Sequence, residues 1–247
     1  MQFTPAHLKR MIAMHKSTMQ LVLIALVAAT PLAAQGGRGM GGMRMGGDPT
    51  AKVTGSGTLP TGWMMRFDPQ RGGRIPAPTE ISFVTMGGGF HVNGGPAAIY
   101  YNPKDMASGV YGASATFKQA KSLQHEAFGL FIGGSNLQDS TQNYLYMVIR
   151  PWDGAVAIEH RSSNAAPTKL MAMTPDAAIN KDSPTDGSAT NTLMIHVAKD
   201  TVHFMVNGKL VKALAKSDLG GAMTDGQAGI RINHNIDIHI DGWSVKK

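Results

Sequence analysis

Cysteine is absent from the 247 residues, tryptophan occurs three times, and aromatic residues make up only 6% of the chain. Without thiols the chain is neither a lipoprotein nor a disulfide-stapled domain, so its stability has to come from a packed core. Helical periodicity is nearly missing as well, which excludes parallel α/β folds because their strands are joined by crossover helices. Long apolar runs are also lacking. Leu21 to Ala29 form the longest one near the N-terminus, about half of the roughly 20 residues a membrane-spanning helix requires. Lys9, Arg10 and Lys16 precede this run and Thr30 to Gln35 (TPLAAQ) follow it. That order of basic, apolar and small residues reads as a secretory signal over residues 1–34, cleaved near Ala34 or Ala29. The expected location is therefore secreted or periplasmic, with no membrane span after cleavage. The chain carries 23 Lys and Arg against 16 Asp and Glu, a net charge of +7 that falls to +4 once the three basic residues of the signal are removed. So small an excess argues against a nucleic-acid partner.

Glycine, in contrast, is abundant, with 30 residues. Residues 35–50 (QGGRGMGGMRMGGDPT) have no periodic apolar pattern and read as a Gly/Met-rich flexible linker, because such a segment buries too little surface to offset its ordering entropy. Residues 51–247 are then one domain. Short runs rich in β-branched and aromatic residues recur there between turn signals. Thirteen strands are expected, among them Ile81–Met86, Tyr144–Arg150, Ala155–Arg161, Thr201–Val206 and Asn235–Asp241. Trp152-Asp153-Gly154 reads as one hairpin turn and Asn207-Gly208 as another, since Asn and Gly tolerate the positive φ of the primed turns. Lys199-Asp200 closes a further turn, which makes Leu193 to Ala213 a three-strand meander. The polar stretch Thr174 to Thr192 reads as a surface loop. So many short antiparallel strands in about 200 residues predict an all-β jelly-roll sandwich of two antiparallel sheets.

The C-terminal stretch organises the rest. Ile236, Ile238 and Ile240 alternate with Asp237, His239 and Asp241, so the isoleucines share a core face and the polar row shares the opposite one. Each buried isoleucine contributes about 1.5–3 kcal/mol, which fixes the register. Asp237, His239 and Asp241 are therefore candidate ligand contacts, able to hydrogen-bond hydroxyls or orient a water; the bland reading is a solvated face of alternating charge. Asp237 and Asp241 lie roughly 13 Å apart along an extended strand, too wide for the carboxyl pair of a glycoside hydrolase. Tyr144 and Tyr146 share one face of their strand while Leu145, Met147 and Ile149 share the other. The wholly apolar face belongs to the core, so these two tyrosines, with Tyr100, Tyr101 and Trp152, are candidate stacking surfaces for a sugar. His125 and Glu126, just before a strand, could face the Asp237 row across a sheet. His91, His125, His160, His196 and His203 are scattered without a ligand spacing, so no zinc site is assigned. Catalytic residues are not identified and no cofactor is assigned; a soft ion such as Cu(I) at Met40, Met43 and Met45 is set aside because no His or Cys accompanies them, and calcium is the likelier metal, through the oxygen-rich loop Asn180 to Asn191 with Asp182 and Asp186.

Four segments, GFHVNGGPAAIYYNP (Gly89 to Pro103), FGLFIGG (Phe128 to Gly134), FMVNG (Phe204 to Gly208) and GIRINHNIDIHIDGW (Gly229 to Trp243), resemble secreted bacterial members of the concanavalin A-like lectin/glucanase superfamily. They are most similar to its laminin-G-like and 3-keto-disaccharide hydrolase-related groups. The resemblance covers most of residues 51–247. It implies a jelly roll with an extended ligand across the concave sheet and, in some members, calcium at its rim. A glycan or sugar ligand follows as the expected partner. The laminarinase-like members carry a Glu-x-Asp-x-x-Glu motif, whereas this chain has only Glu80, Glu126 and Glu159, none in that pattern. The first expectation is thus a glycan-binding sandwich without a recognisable catalytic motif. A carbohydrate-active hydrolase and a structural domain of the cell envelope are the alternatives.

Overall fold

A computed structural model describes residues 55–121 and 125–247; the signal and the linker expected before them lie outside the described residues. Fourteen strands form two seven-stranded sheets in which every pairing is antiparallel. The strands are β1 (Met64–Phe67), β2 (Ile81–Met86), β3 (Gly89–Gly94), β4 (Ala98–Ala107), β5 (Tyr111–Gln119), β6 (Phe128–Ser135), β7 (Asn143–Arg150), β8 (Ala155–Arg161), β9 (Thr168–Pro175), β10 (Ala189–Val197), β11 (Thr201–Val206), β12 (Lys209–Ala215), β13 (Gly226–Ile232) and β14 (Ile236–Lys246). The first sheet has the order β1-β4-β13-β6-β7-β8-β9 and the second β12-β11-β10-β5-β14-β3-β2. The all-β expectation is met, and so is the meander of β10, β11 and β12. One strand was not anticipated: β9 is an edge strand of Lys, Met, Ala and Thr, and its side chains are half-buried or exposed. Such an edge shows little of the β-branched alternation by which a strand is recognised.

Between the sheets lies one core. Leu145, Met147 and Ile149 of β7 face it, as do Ile236, Ile238 and Ile240 of β14. Ring pairs stitch the sheets together, with Phe117 5.2 Å from Phe128 and Phe83 4.6 Å from Tyr100 between centroids. Asn207 and Gly208 carry φ of 50° and 76°, the conformation that a two-residue primed turn demands. Gly129 is required for a different reason: a Cβ there would lie 1.9 Å from the Met147 carbonyl oxygen on the neighbouring strand.

Candidate ligand-binding site

The outer face of the first sheet is not a plain solvated surface. It carries a second apolar cluster of Ile99, Tyr101, Phe131, Tyr144, Tyr146, Val148 and Ala157. Over these lies a charged group: both terminal nitrogens of Arg231 donate to Asp68, at 2.8 and 2.7 Å, and Arg161 donates to the same carboxylate at 3.0 Å. Arg231 and Arg161 are only 4% and 6% exposed. Burial works to raise the pKa of Asp68, but the charge and hydrogen bonds of Arg231 and the charge of Arg161 outweigh it, so the carboxyl is held below its usual range. The Arg231 guanidinium also sits 5.6 Å from the centre of the Tyr146 ring, and the Tyr146 hydroxyl donates to Glu159.

These contacts fix the shape of the sheet. Asp68 follows β1, whereas Arg161 ends β8, five places away in strand order. In a flat sheet the two strands would lie roughly 24 Å apart at about 4.8 Å per place. Their side chains nevertheless meet, and Arg66 of β1 donates at 2.7 Å to Asn164 in the β8–β9 turn. The outer face of the first sheet is therefore concave.

One cross-sheet row marks an end of this concave face. Phe67, Ala98, Ile232, Phe128, Ile149 and Val156 are successive partners from β1 to β8. Immediately beyond the row come Asp68, Ala97, His234, Glu126 and the turn Pro151–Gly154, so five chain segments converge at one end of the sheet. Asp68, Pro69, Gln70, Ala97 and His234 line a pocket of about 350 Å³, within the size range of small-ligand sites. His234 stands 3.8 Å from Glu126. The nearby carboxylate raises the imidazole pKa, with burial opposing. Two strand spacings further along, roughly 10 Å, Trp152 packs against His125 with centroids 4.3 Å apart and the rings tilted by 34°.

The structure divides the residues singled out from sequence. Of the five aromatic candidates, Tyr100, Tyr101, Tyr144 and Tyr146 are 0–3% exposed, whereas Trp152 is 54% exposed. Tyr144 and Tyr146 do turn away from the inter-sheet core, as their strand pattern requires. They are nonetheless covered, so neither offers an open ring for stacking. His125 and Glu126 join Trp152 and His234 at the rim of the first sheet, not the Asp237 row. Asp237, His239 and Asp241 line the outer face of the second sheet, on the opposite side of the sandwich, and so do not meet the tyrosines. There His91 contacts Asp237 at 3.2 Å, His239 contacts Asp241 at 2.9 Å, and Lys118 pairs with Asp241 at 2.5 Å. In the Asn180–Asn191 loop, Asp186 accepts from Ser188, and Asn180 and Asn191 bond each other. Among the described residues no group of three or more His, Cys, Asp or Glu side chains is placed to hold a metal ion.

Sequence reasoning missed Asp68, Arg161, Arg231 and His234. Arg231 carried a signal: it interrupts the apolar strand Gly229-Ile230-Arg231-Ile232, where a charge has to be either solvated or paired. Its partner Asp68 lies 163 residues away, beyond the reach of any local pattern.

No protein-family model matches the chain, and no curated protein matches it. Solved structures do match. Carbohydrate-binding module CBM66 from Bacillus subtilis aligns with a TM-score of 0.55 at 10% identity, covering 76% of this chain and 96% of the module. A Bacillus subtilis protein of unknown function with a galectin-like fold gives 0.55 at 13% identity, over 79% of this chain and 93% of that one. The family 16 glycoside hydrolase endo-glucanase of Bacteroides ovatus gives 0.51 at 13% identity, over 74% and 93%. The fold is thus a jelly-roll β-sandwich of the kind these solved structures share.

Proposed function

We propose that this chain is an exported glycan-binding protein whose ligand lies along the rim of the concave sheet, from the pocket of Asp68, Gln70 and His234 to Trp152. The observation that carries this reading is Trp152, the single exposed large ring among the described residues, tilted against His125 in line with that pocket. An indole face packs against the apolar face of a sugar ring while carboxylate, amide and imidazole groups exchange hydrogen bonds with its hydroxyls. The triad behind Asp68 supports the site by fixing the carboxylate in place, which lowers the entropic cost of binding. The solved structures named above include a carbohydrate-binding module and an endo-glucanase, in keeping with a saccharide ligand.

Binding is favoured over hydrolysis by the same geometry. A glycosidase needs one carboxyl that remains protonated until it delivers its proton to the leaving oxygen. Asp68 is held ionised by two arginines, and Glu126 stands against His234. The basic, apolar and small pattern of residues 1–34 supports export. The test is a glycan array followed by titration calorimetry of the best ligand against Trp152→Ala and His234→Ala, with circular dichroism to verify folding. Trp152→Ala should weaken binding about tenfold, the equivalent of 1.4 kcal/mol. Unchanged affinity in both folded variants, or no binding across the array, would overturn the proposal, and accumulation of reducing sugar would replace it with a hydrolase.

A further inference from the structure

The outer face of the second sheet holds four histidines that the sequence scatters over 149 positions, from His91 to His239. Strand pairing gathers them into two couples: His91 of β3 is the direct partner of His239 of β14, and His196 of β10 is the direct partner of His203 of β11. Directly opposed residues of antiparallel strands have Cβ atoms about 4.5–5.5 Å apart, and the ring centroids are separated by 6.2 Å and 5.7 Å respectively. Spacing alone would make the two couples alike. Their surroundings do not.

In the first couple each imidazole is held through Nε2 by its own carboxylate, His91 by Asp237 and His239 by Asp241. Both Nδ1 atoms are left buried and without a partner. A carboxylate on one ring nitrogen and a free second nitrogen is the arrangement that orients a histidine as a metal ligand, because the outer carboxylate sets the tautomer and makes the inner nitrogen more basic. The local charge agrees. Asp237 and Asp241 hold the pair and Lys118 contacts Asp241, so these groups set two carboxylates against one ammonium. The second couple lacks this support, since His203 Nε2 contacts only the Thr201 hydroxyl at 3.1 Å.

We propose that His91 and His239 form an open two-imidazole site for a borderline divalent transition-metal ion of the zinc or nickel type. Imidazole nitrogens bind such ions at about 2.0–2.1 Å. With each Nε2 committed to its carboxylate, the unpartnered Nδ1 of each ring is the nitrogen that ligates the ion. Asp237 and Asp241 act as positioning groups through the rings they hold. The site lies on the opposite side of the sandwich from Trp152 and is independent of the proposed glycan site.

The experiment is zinc titration of the full chain by calorimetry at neutral pH, in parallel for the unaltered protein, His91→Ala, His239→Ala, Asp237→Asn and His196→Ala. Melting curves without metal confirm folding, and His91→Gln and His239→Gln stand in for any alanine variant that does not fold. The expected result is one tight event that disappears in the His91 and His239 variants, weakens about tenfold in Asp237→Asn as positioning carboxylates usually do, and persists in His196→Ala. Absence of a tight event in the unaltered protein overturns the proposal. So does an event unchanged by loss of either His91 or His239, or one abolished by His196→Ala.

Discussion

Replacing Asp68 with alanine would remove the one carboxylate that Arg231 and Arg161 share. Arg231 donates to both of its oxygens at 2.8 and 2.7 Å and Arg161 to one at 3.0 Å, and both guanidinium groups are more than nine-tenths buried. Two arginines would then be left in a desolvated site with no counter-charge. Breaking a buried pair in this way costs about 3–5 kcal/mol, a large part of the roughly 5–15 kcal/mol that holds a domain folded. At about 2–4 °C per kcal/mol for a domain of this size, the melting temperature should fall by some 6–20 °C. Asp68→Asn keeps an acceptor and should fall less. Arg161→Met, which removes the more weakly bonded cation and leaves the bidentate pair intact, should fall least. Thermal and urea unfolding followed by circular dichroism gives all three values. The pH dependence supplies a second check. The folded pKa of Asp68 lies below its ordinary 3.8, so its contribution is complete above that value and is lost as the pH falls through the folded pKa. The Asn variant should lack that acid-side loss. If Asp68→Ala melts within a degree or two of the unaltered protein, the triad does not hold the concave face together and the reasoning fails.

Gly208→Val forces a β-branched residue to a φ of 76° and should cost about 1–3 kcal/mol, read as a lower melting temperature. Gly129→Ala brings a Cβ to 1.9 Å from the Met147 carbonyl and should prevent recovery of folded protein in a soluble-expression and circular dichroism assay. Asp237→Ala, on the far sheet, should leave glycan affinity unchanged in the calorimetry that registers the loss from Trp152→Ala. The pKa of His234 is raised above 6.5 by Glu126, so the stability from this contact is complete below 6.5 and fades as the pH rises through the folded value. Because His234 is 56% exposed the effect is small, and His234→Ala should flatten the stability profile over that window.

The elements that local pattern dictates were legible in the sequence. Ile236, Ile238 and Ile240 are 3%, 0% and 0% exposed, as their alternation demands, and Asn207-Gly208 closes the turn its φ preferences allow. Face assignment also held in β7, where Leu145, Met147 and Ile149 enter the core and Tyr144 and Tyr146 do not. Their covering was not legible. A strand pattern reports which side a ring leaves by, but not that Asp68, Arg161 and Arg231 from three distant segments close over it. β9 escaped for the opposite reason, because an edge strand with half-buried methionines satisfies its ladder without presenting an alternating code.

What separated the candidate residues was register, a property of strand pairs that no single stretch of chain contains. Glu126, Trp152 and His234 sit at unrelated places in the sequence, yet each lies just past the same cross-sheet row that runs from Phe67 to Val156. The side chains of that row are committed to the core, and a one-residue slip in any of its strands would expose them to water. The row therefore fixes where the loops begin, while the loops beyond it remain free in composition. The same logic explains the far sheet. His91 and His239 become neighbours because the isoleucines of β14 pin their strand against β3, so burial of apolar side chains on one face sets the polar pairing on the other. In both places the chemistry is carried by residues the core does not need, positioned by residues it cannot move.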